Sequence, residues 1–148
     1  MPPLPQPFSE SLGIDYTLQA ACQSLAELKN WSERYRQLFK LADRITPLDN
    51  QWRIESNLVE GCESPVWLIH HYDQQQQKHY FLADSDSKII KGLLVLILCS
   101  CNGQNAESIA SFQLEPLLKN LDLGKYLTPS RTNGLLSVFA MIQLSCLD

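Results

Sequence analysis

What this chain lacks first is an excess of positive charge: twelve Lys and Arg stand against sixteen Asp and Glu, a formal net charge of -4 over 148 residues. Without such an excess there is no field to gather phosphates, and nucleic acid is set aside as a partner. A long apolar run is missing too. The most apolar stretch, Ile89 to Cys99, is interrupted by Lys91 and Gly92, and it falls far short of the ~20 residues a helix needs to cross a bilayer. It is expected to be a core element of a soluble protein, with no membrane partner. The start of the chain lacks the basic residues and apolar stretch of a secretory leader, and the five cysteines, Cys22, Cys62, Cys99, Cys101 and Cys146, follow no regular spacing. Free thiols in a reducing cytoplasm are the expectation. There is no Cys-x-x-Cys pair for zinc, no Gly-rich phosphate loop, no Ser-centred elbow and no metalloprotease helix. No internal repeat divides the chain. With 45% hydrophobic and 19% charged residues, it has enough apolar material to close one core, so residues 1–148 read as a single domain.

Pro2, Pro3, Pro5 and Pro7 fix an extended course and predict a loose N-terminal tail over residues 1–8. Leu18, Ala21, Cys22, Leu25 and Leu28 recur at helical spacing, with Thr17 as a cap. Asn30 stands three residues before Glu33 as in a capping box, and Trp31, Tyr35, Leu38, Phe39 and Ala42 share one face of a second helix. Pro47 closes it. Leu58-Val59, Val66 to Ile69 and His79 to Leu82 read as β-rich pieces, the last two joined as a hairpin across Gln74 to Gln77. Ser85 or Asp86 caps a helix running to Cys101 and ended by Asn102-Gly103; periodicity alone leaves Leu93 to Cys99 open as a buried strand, and length and the terminal Gly favour helix. Short helices fit residues 106–112, after Asn105, and 115–121, and Ser130 caps a last helix. The sum is an α+β domain, helices against one face of a small antiparallel sheet of about three strands.

Gly61 precedes Cys62 between two strand candidates, where glycine allows backbone angles that expose the next side chain and the strands steady its base. Cys62 is thus a candidate presented thiol; the alternative is a small buried hydrophobe, the usual fate of a free cysteine. Glu60 and Glu63 bracket it, and negative charge opposes thiolate formation. Cys99 and Cys101 point apart on one helix and read as core, as do Cys22 and Cys146. His70, His71 and His79 read as solvated strand residues, the first two on opposite faces. Asp84 and Asp86 fit as acids favouring the next helix's dipole, whereas Arg131 sits at the unfavourable end of its helix, either as an exposed charge or held for a tertiary role.

Gly61-Cys62-Glu63-Ser64-Pro65-Val66-Trp67 resembles the signature of the SufE family of sulfur acceptors. Trp31-Ser32-Glu33-Arg34-Tyr35-Arg36 looks like the family's tryptophan-acidic-basic-tyrosine helix, residues 83–86 followed by Ile90-Lys91-Gly92-Leu93-Leu94 look like its second block, and Ser130-Arg131-Thr132-Asn133-Gly134-Leu135 resembles its third. The blocks come in family order, which no single motif match offers. Pro65, where many relatives carry a polar or basic residue, Thr132 in place of serine, and the four further cysteines depart from the pattern. Pro7-Phe8 and the Glu63 that follows Cys62 look more like the CsdE branch.

The resemblance implies a SufE/IscU-like fold and a role in accepting sulfane sulfur from a cysteine desulfurase, whose pyridoxal phosphate stays on the partner. No cofactor or metal is then bound by this chain, which is a persulfide-carrying accessory rather than a stand-alone enzyme. Cys62 is the implied acceptor, with Gly61, Trp67, Asp84 and Arg131 as loop and support residues. The implied recipient is an iron–sulfur assembly scaffold or a tRNA-modification enzyme. An adaptor that activates the desulfurase by binding alone is the alternative; an iron–sulfur scaffold is a second, disfavoured by ligand count.

Overall fold

The computed structural model describes Phe8, residues 18–124 and residues 127–147. The proline-rich stretch before Phe8 and the expected cap Thr17 lie outside the described residues. Six helices are described: α1 (Leu18–Ala26), α2 (Trp31–Ala42), α3 (Lys88–Cys101), α4 (Ala106–Ser111), α5 (Leu114–Asn120) and α6 (Pro129–Ser145). They accompany one hairpin, β1 (Val66–Asp73) and β2 (Lys78–Ser85), and none is long and apolar enough to cross a membrane.

Local chemistry starts two of the helices where the sequence says it does. Asn30 accepts the Glu33 amide at 2.9 Å to begin α2, and Asn105 accepts the Ser108 amide at 2.8 Å to begin α4, each satisfying an amide that has no partner within its helix. Two caps shift. Ser87 caps α3, rather than Ser85 or Asp86, because pairing with Val66 keeps Ser85 in β2. Thr128 caps α6, rather than Ser130, with Pro129 at its first position. Trp31, expected on the apolar face of α2, is 47% exposed; it stands at the first helical position, and its ring lies over Gly124.

Helix α3 is the centre of the molecule: every residue from Leu93 to Leu98 is at most 1% exposed, as its unbroken apolar sequence requires. The hairpin pairs antiparallel from Val66↔Ser85 to Asp73↔Lys78. Asp73 Oδ1 accepts the Gln75 and Gln76 amides at 3.1 and 3.3 Å to shape its turn. Alternation sends Val66, Leu68, Phe81 and Ala83 into the main core with the helices. It sends Ile69, Tyr80 and Leu82 to the other face, where Phe8, Leu48, Trp52 and Trp67 form a second cluster. Phe8, expected at the end of a loose tail, is 7% exposed because it closes that cluster.

Two further expectations are corrected. The sheet has two strands among the described residues, not about three: a 3-10 turn over Glu55–Asn57 precedes Leu58 and the Gly61 turn follows, leaving room for a single Leu58↔Trp67 bridge. The histidines are not all solvated. His79 is 3% exposed; its Nδ1 lies 2.8 Å from His70 Nε2, and Tyr72 and Phe81 stack on the pair. The connection after α3 covers them, the His79 amide donating to the Gln104 carbonyl at 2.8 Å. His71 does take the opposite face, its ring 5.5 Å from that of Phe8.

Candidate functional site

The loop from Glu60 to Pro65 rises from the start of β1, its base closed by the Val59 amide donating to the Val66 carbonyl at 2.9 Å. Gly61 turns it with φ +94°, in the left-handed region that disfavours side chains, and a Cβ there would lie 2.7 Å from Ser137 Oγ of α6. Turn and close approach therefore both call for glycine. The turn aims Cys62 at α6, where its thiol donates to the Gly134 carbonyl across 3.4 Å, a weak contact because S–H is a poor donor. The thiol lies directly against α6 at Gly134, where a Cβ would stand 3.5 Å from Cys62 Sγ, an ordinary contact distance.

Around the thiol lies a cavity of about 80 Å³ between the loop and the first turns of α3 and α6, lined by Cys62, Val66, Ser87, Ile90, Arg131 and Leu135 among others. Two helix N-termini border it, so partial positive charge bounds it on two sides. Burial pushes the Cys62 thiol above its ordinary value. The direction is the one expected from Glu60 and Glu63, but the cause is desolvation by the half-buried setting. Arg131 is half-buried in the cavity wall rather than an exposed charge.

Trp67 and Asp84 lie elsewhere. They pair across the hairpin on the face that alternation turns away from Val66, and neither lines the cavity. Asp84 is fully buried and so is not an acid at a helix start. It accepts from the Leu48 amide at 3.0 Å and the Arg53 guanidinium at 2.7 Å, while the Ser85 amide and Lys91 Nζ reach its other oxygen at 2.8 and 3.5 Å. Burial alone would raise its pKa; the Leu48 amide, Arg53, the Ser85 amide and Lys91 together hold it below its ordinary value. Arg53 also lies 4.7 Å over the Trp67 ring and 3.2 Å from Asp86. Sequence reasoning misses Arg53, whose partners are about thirty residues away with no local pattern to announce them. Gly134 and Ser130 stand inside the motif around Arg131, which is the signal that could have found them.

The other thiols have different settings. Cys101 is fully buried, and burial above all pushes Cys99 and Cys101 up to about 12; Cys22 on α1 and Cys146 just past the end of α6 are half-buried against the main core. Among the described residues no three His, Cys, Asp or Glu side chains gather as a metal site needs. Cys62 is the cysteine that combines a loop position with a place on the cavity wall.

The family model SufE, an Fe-S metabolism associated domain, matches residues 19–146. The cysteine desulfuration protein SufE of Wigglesworthia glossinidia brevipalpis is 32% identical over 123 residues, covering 83% of this chain and 85% of that protein. The solution structure of a hypothetical protein from Thermus thermophilus shares the fold, with a TM-score of 0.68 over 87% of this chain and 92% of that one at 18% identity. The matched span holds the Gly61-Cys62 turn, the hairpin and the helix that carries Arg131 and Gly134, and the chain belongs to the SufE family.

Proposed function

We propose that this protein accepts sulfane sulfur on Cys62 from a pyridoxal-phosphate-dependent cysteine desulfurase, stimulates that enzyme, and passes the sulfur on in the cytoplasm. The observation that carries the reading is the placement of Cys62, a single thiol on a Gly-led loop at the edge of a cavity, within a chain of the SufE family. In the transfer, the Cys62 thiolate attacks the outer sulfur of a persulfide on the desulfurase. The bond between the two sulfurs of that persulfide breaks, the desulfurase thiolate leaves, and Cys62 becomes Cys–S–SH. No net oxidation occurs, and no bound metal or cofactor on this chain takes part. The rate follows thiolate fraction and access.

Both are low at rest, because burial raises the thiol and the Gly134 contact holds it inward. Docking that swings the loop outward and supplies positive groups beside Glu60 and Glu63 raises both. Retraction then shelters the loaded sulfur: about 80 Å³ is several times the roughly 10–15 Å³ that one water requires. Arg131 and Gly61 act as loop supports at the cavity, and Trp67 and Asp84 as supports from the far face of the hairpin.

The test is intact-protein and peptide mass spectrometry after mixing with a cysteine desulfurase and L-cysteine. A reductant-labile gain of one sulfur confined to Cys62, absent in Cys62→Ser, is the expected result. No gain while the desulfurase itself is loaded overturns the acceptor role, and stimulation that survives Cys62→Ser moves the adaptor reading forward. Offering the loaded protein to an iron–sulfur scaffold and to a tRNA-modification enzyme then separates a SufE-like from a CsdE-like recipient.

A further inference from the structure

Ser85, the last residue of β2, is fully buried. Its hydroxyl donates to the Pro65 carbonyl at 2.7 Å and accepts the Ser87 amide at 3.2 Å. Its own amide is fixed on Asp84 Oδ1 at 2.8 Å, so the residue hangs from a carboxylate that is itself held by three other groups, the Leu48 amide, Arg53 and Lys91. Pro65 is the exit of the Cys62 loop. Ser87 caps α3, accepting the Ile90 amide at 3.3 Å, and forms part of the cavity wall. One oxygen therefore ties the end of the loop to the wall that the loop closes against.

A hydroxyl is suited to this joint because it is donor and acceptor at once: the carbonyl takes its proton and the amide its lone pair. An alanine provides neither function. At the loop's entry Gly61 has the backbone latitude of glycine, the Val59–Val66 bond closes the base, and the thiol adds its 3.4 Å contact to Gly134. The short bond to Pro65 is thus the firmest tie between the loop proper and the cavity.

We propose that Ser85 is a positioning residue for sulfur transfer, whose hydroxyl clamps the loop exit and thereby sets how often the Cys62 thiol leaves the cavity. The proposal rests on the reading of Cys62 as the acceptor for its purpose, but its geometry is tested without a desulfurase. Cys62 in the free protein is alkylated with iodoacetamide, and peptide mass spectrometry follows each cysteine in the wild type, Ser85→Ala and Ser85→Thr. In Ser85→Ala the Cys62 rate rises about tenfold, as expected for losing a buried hydrogen-bonded clamp. Cys22 and Cys146 keep their rates, and Ser85→Thr, which restores the hydroxyl, returns Cys62 to within about twofold of wild type.

An unchanged Cys62 rate in folded Ser85→Ala overturns the proposal, as does a rise shared equally by Cys22 and Cys146, which marks general loosening. Should Ser85→Ala fail to fold, the wild type decides. A slowly exchanging Ser85 hydroxyl proton, seen by NMR with a cross-peak to the Ser87 amide, supports the clamp; a hydroxyl proton exchanging with water too fast to observe overturns it. Failure of wild-type Cys62 to take sulfur from a loaded desulfurase sinks the acceptor reading instead, and leaves the alkylation result standing by itself.

Discussion

Among the described residues, the three buried polar side chains His79, Asp84 and Ser85 all lie on β2, and each has a close partner. His79 meets His70 at 2.8 Å, Asp84 has four donors between 2.7 and 3.5 Å, and Ser85 uses its hydroxyl twice. The neighbouring loop treats Cys62 in the opposite way, giving its thiol one 3.4 Å contact and a cavity. The difference separates support from chemistry. The polar side chains that hold β2 are partnered, because each missing partner in the interior costs about 1–3 kcal/mol, with the buried Nδ2 of Asn102, whose Oδ1 accepts the Phe81 amide at 2.6 Å, as the exception among the described residues; a group that must move is bonded sparingly, so that a docking partner has little to undo.

The largest expected effect comes from attacking the bonded side of this contrast. Arg53→Ala leaves the Asp84 carboxylate buried without its nearest cation and is expected to lower unfolding stability in urea by about 3 kcal/mol, the low end for a broken buried pair because Arg53 is partly open to solvent. Adding Asp84→Asn to that variant removes the stranded charge and recovers part of the loss. If Arg53→Ala costs no more than about 0.5 kcal/mol, the scale of an ordinary surface change, the network is decoration and the contrast fails.

Acid sharpens the same contrast at the other end of β2. Burial first, then the charges of His79 and His71, lowers the pKa of His70 from 6.5 to about 4, and burial lowers that of His79. Between about 6.5 and about 4 the unfolded chain therefore binds more protons than the folded one at His70, so stability falls as pH falls through that window. The expected loss from pH 6.5 to 4.5 is on the order of 2 kcal/mol, read from urea midpoints, and His70→Gln flattens the slope. Asp84, depressed below its ordinary 3.8, loses its contribution only at lower pH still, so the two windows separate. A midpoint that does not move between pH 6.5 and 4.5, or a slope that survives His70→Gln, refutes the histidine assignment.

These outcomes also mark what the sequence makes legible. Helix α2 is local, its start signed by Asn30 and Glu33 and its body by spacing, and α3 by an apolar run that only a molecular centre accommodates. The Gly61-Cys62 turn is legible for the same reason, since backbone angle and thiol are adjacent in the chain. Register and coverage are not local. Ser85, Asp86 and Ser87 are all capping types, and what decides among them is the pairing of Ser85 with Val66, distant in the sequence. Alternation separates His70 from His71 but does not foretell that the segment after α3 covers His79. Resemblance groups Asp84 and Trp67 with the cysteine; the pairing of the strands turns them toward Arg53 instead.

The smallest change tests the sparsely bonded side. Gly134 sits inside α6, where alanine is the better helix former by about 1 kcal/mol, and a Cβ there would meet Cys62 Sγ at 3.5 Å and its Cα at 3.7 Å, ordinary contact distances. The resting thiol alone therefore gives no reason to forgo alanine. Gly134→Ala is expected to hold or raise stability, by up to about 1 kcal/mol, while the added methyl takes room beside the sulfur. If that room is there for a second sulfur atom, the variant loads more slowly from the desulfurase, or its loaded Cys62 is stripped sooner by dithiothreitol, although the free protein is as stable as before. A variant that is equally stable and holds sulfur as the wild type does removes the cavity from the mechanism and leaves only the loop. A destabilised one shows that α6 needs glycine for its own packing, and the sparse bonding of Cys62 is then a consequence of helix geometry rather than of the sulfur it carries.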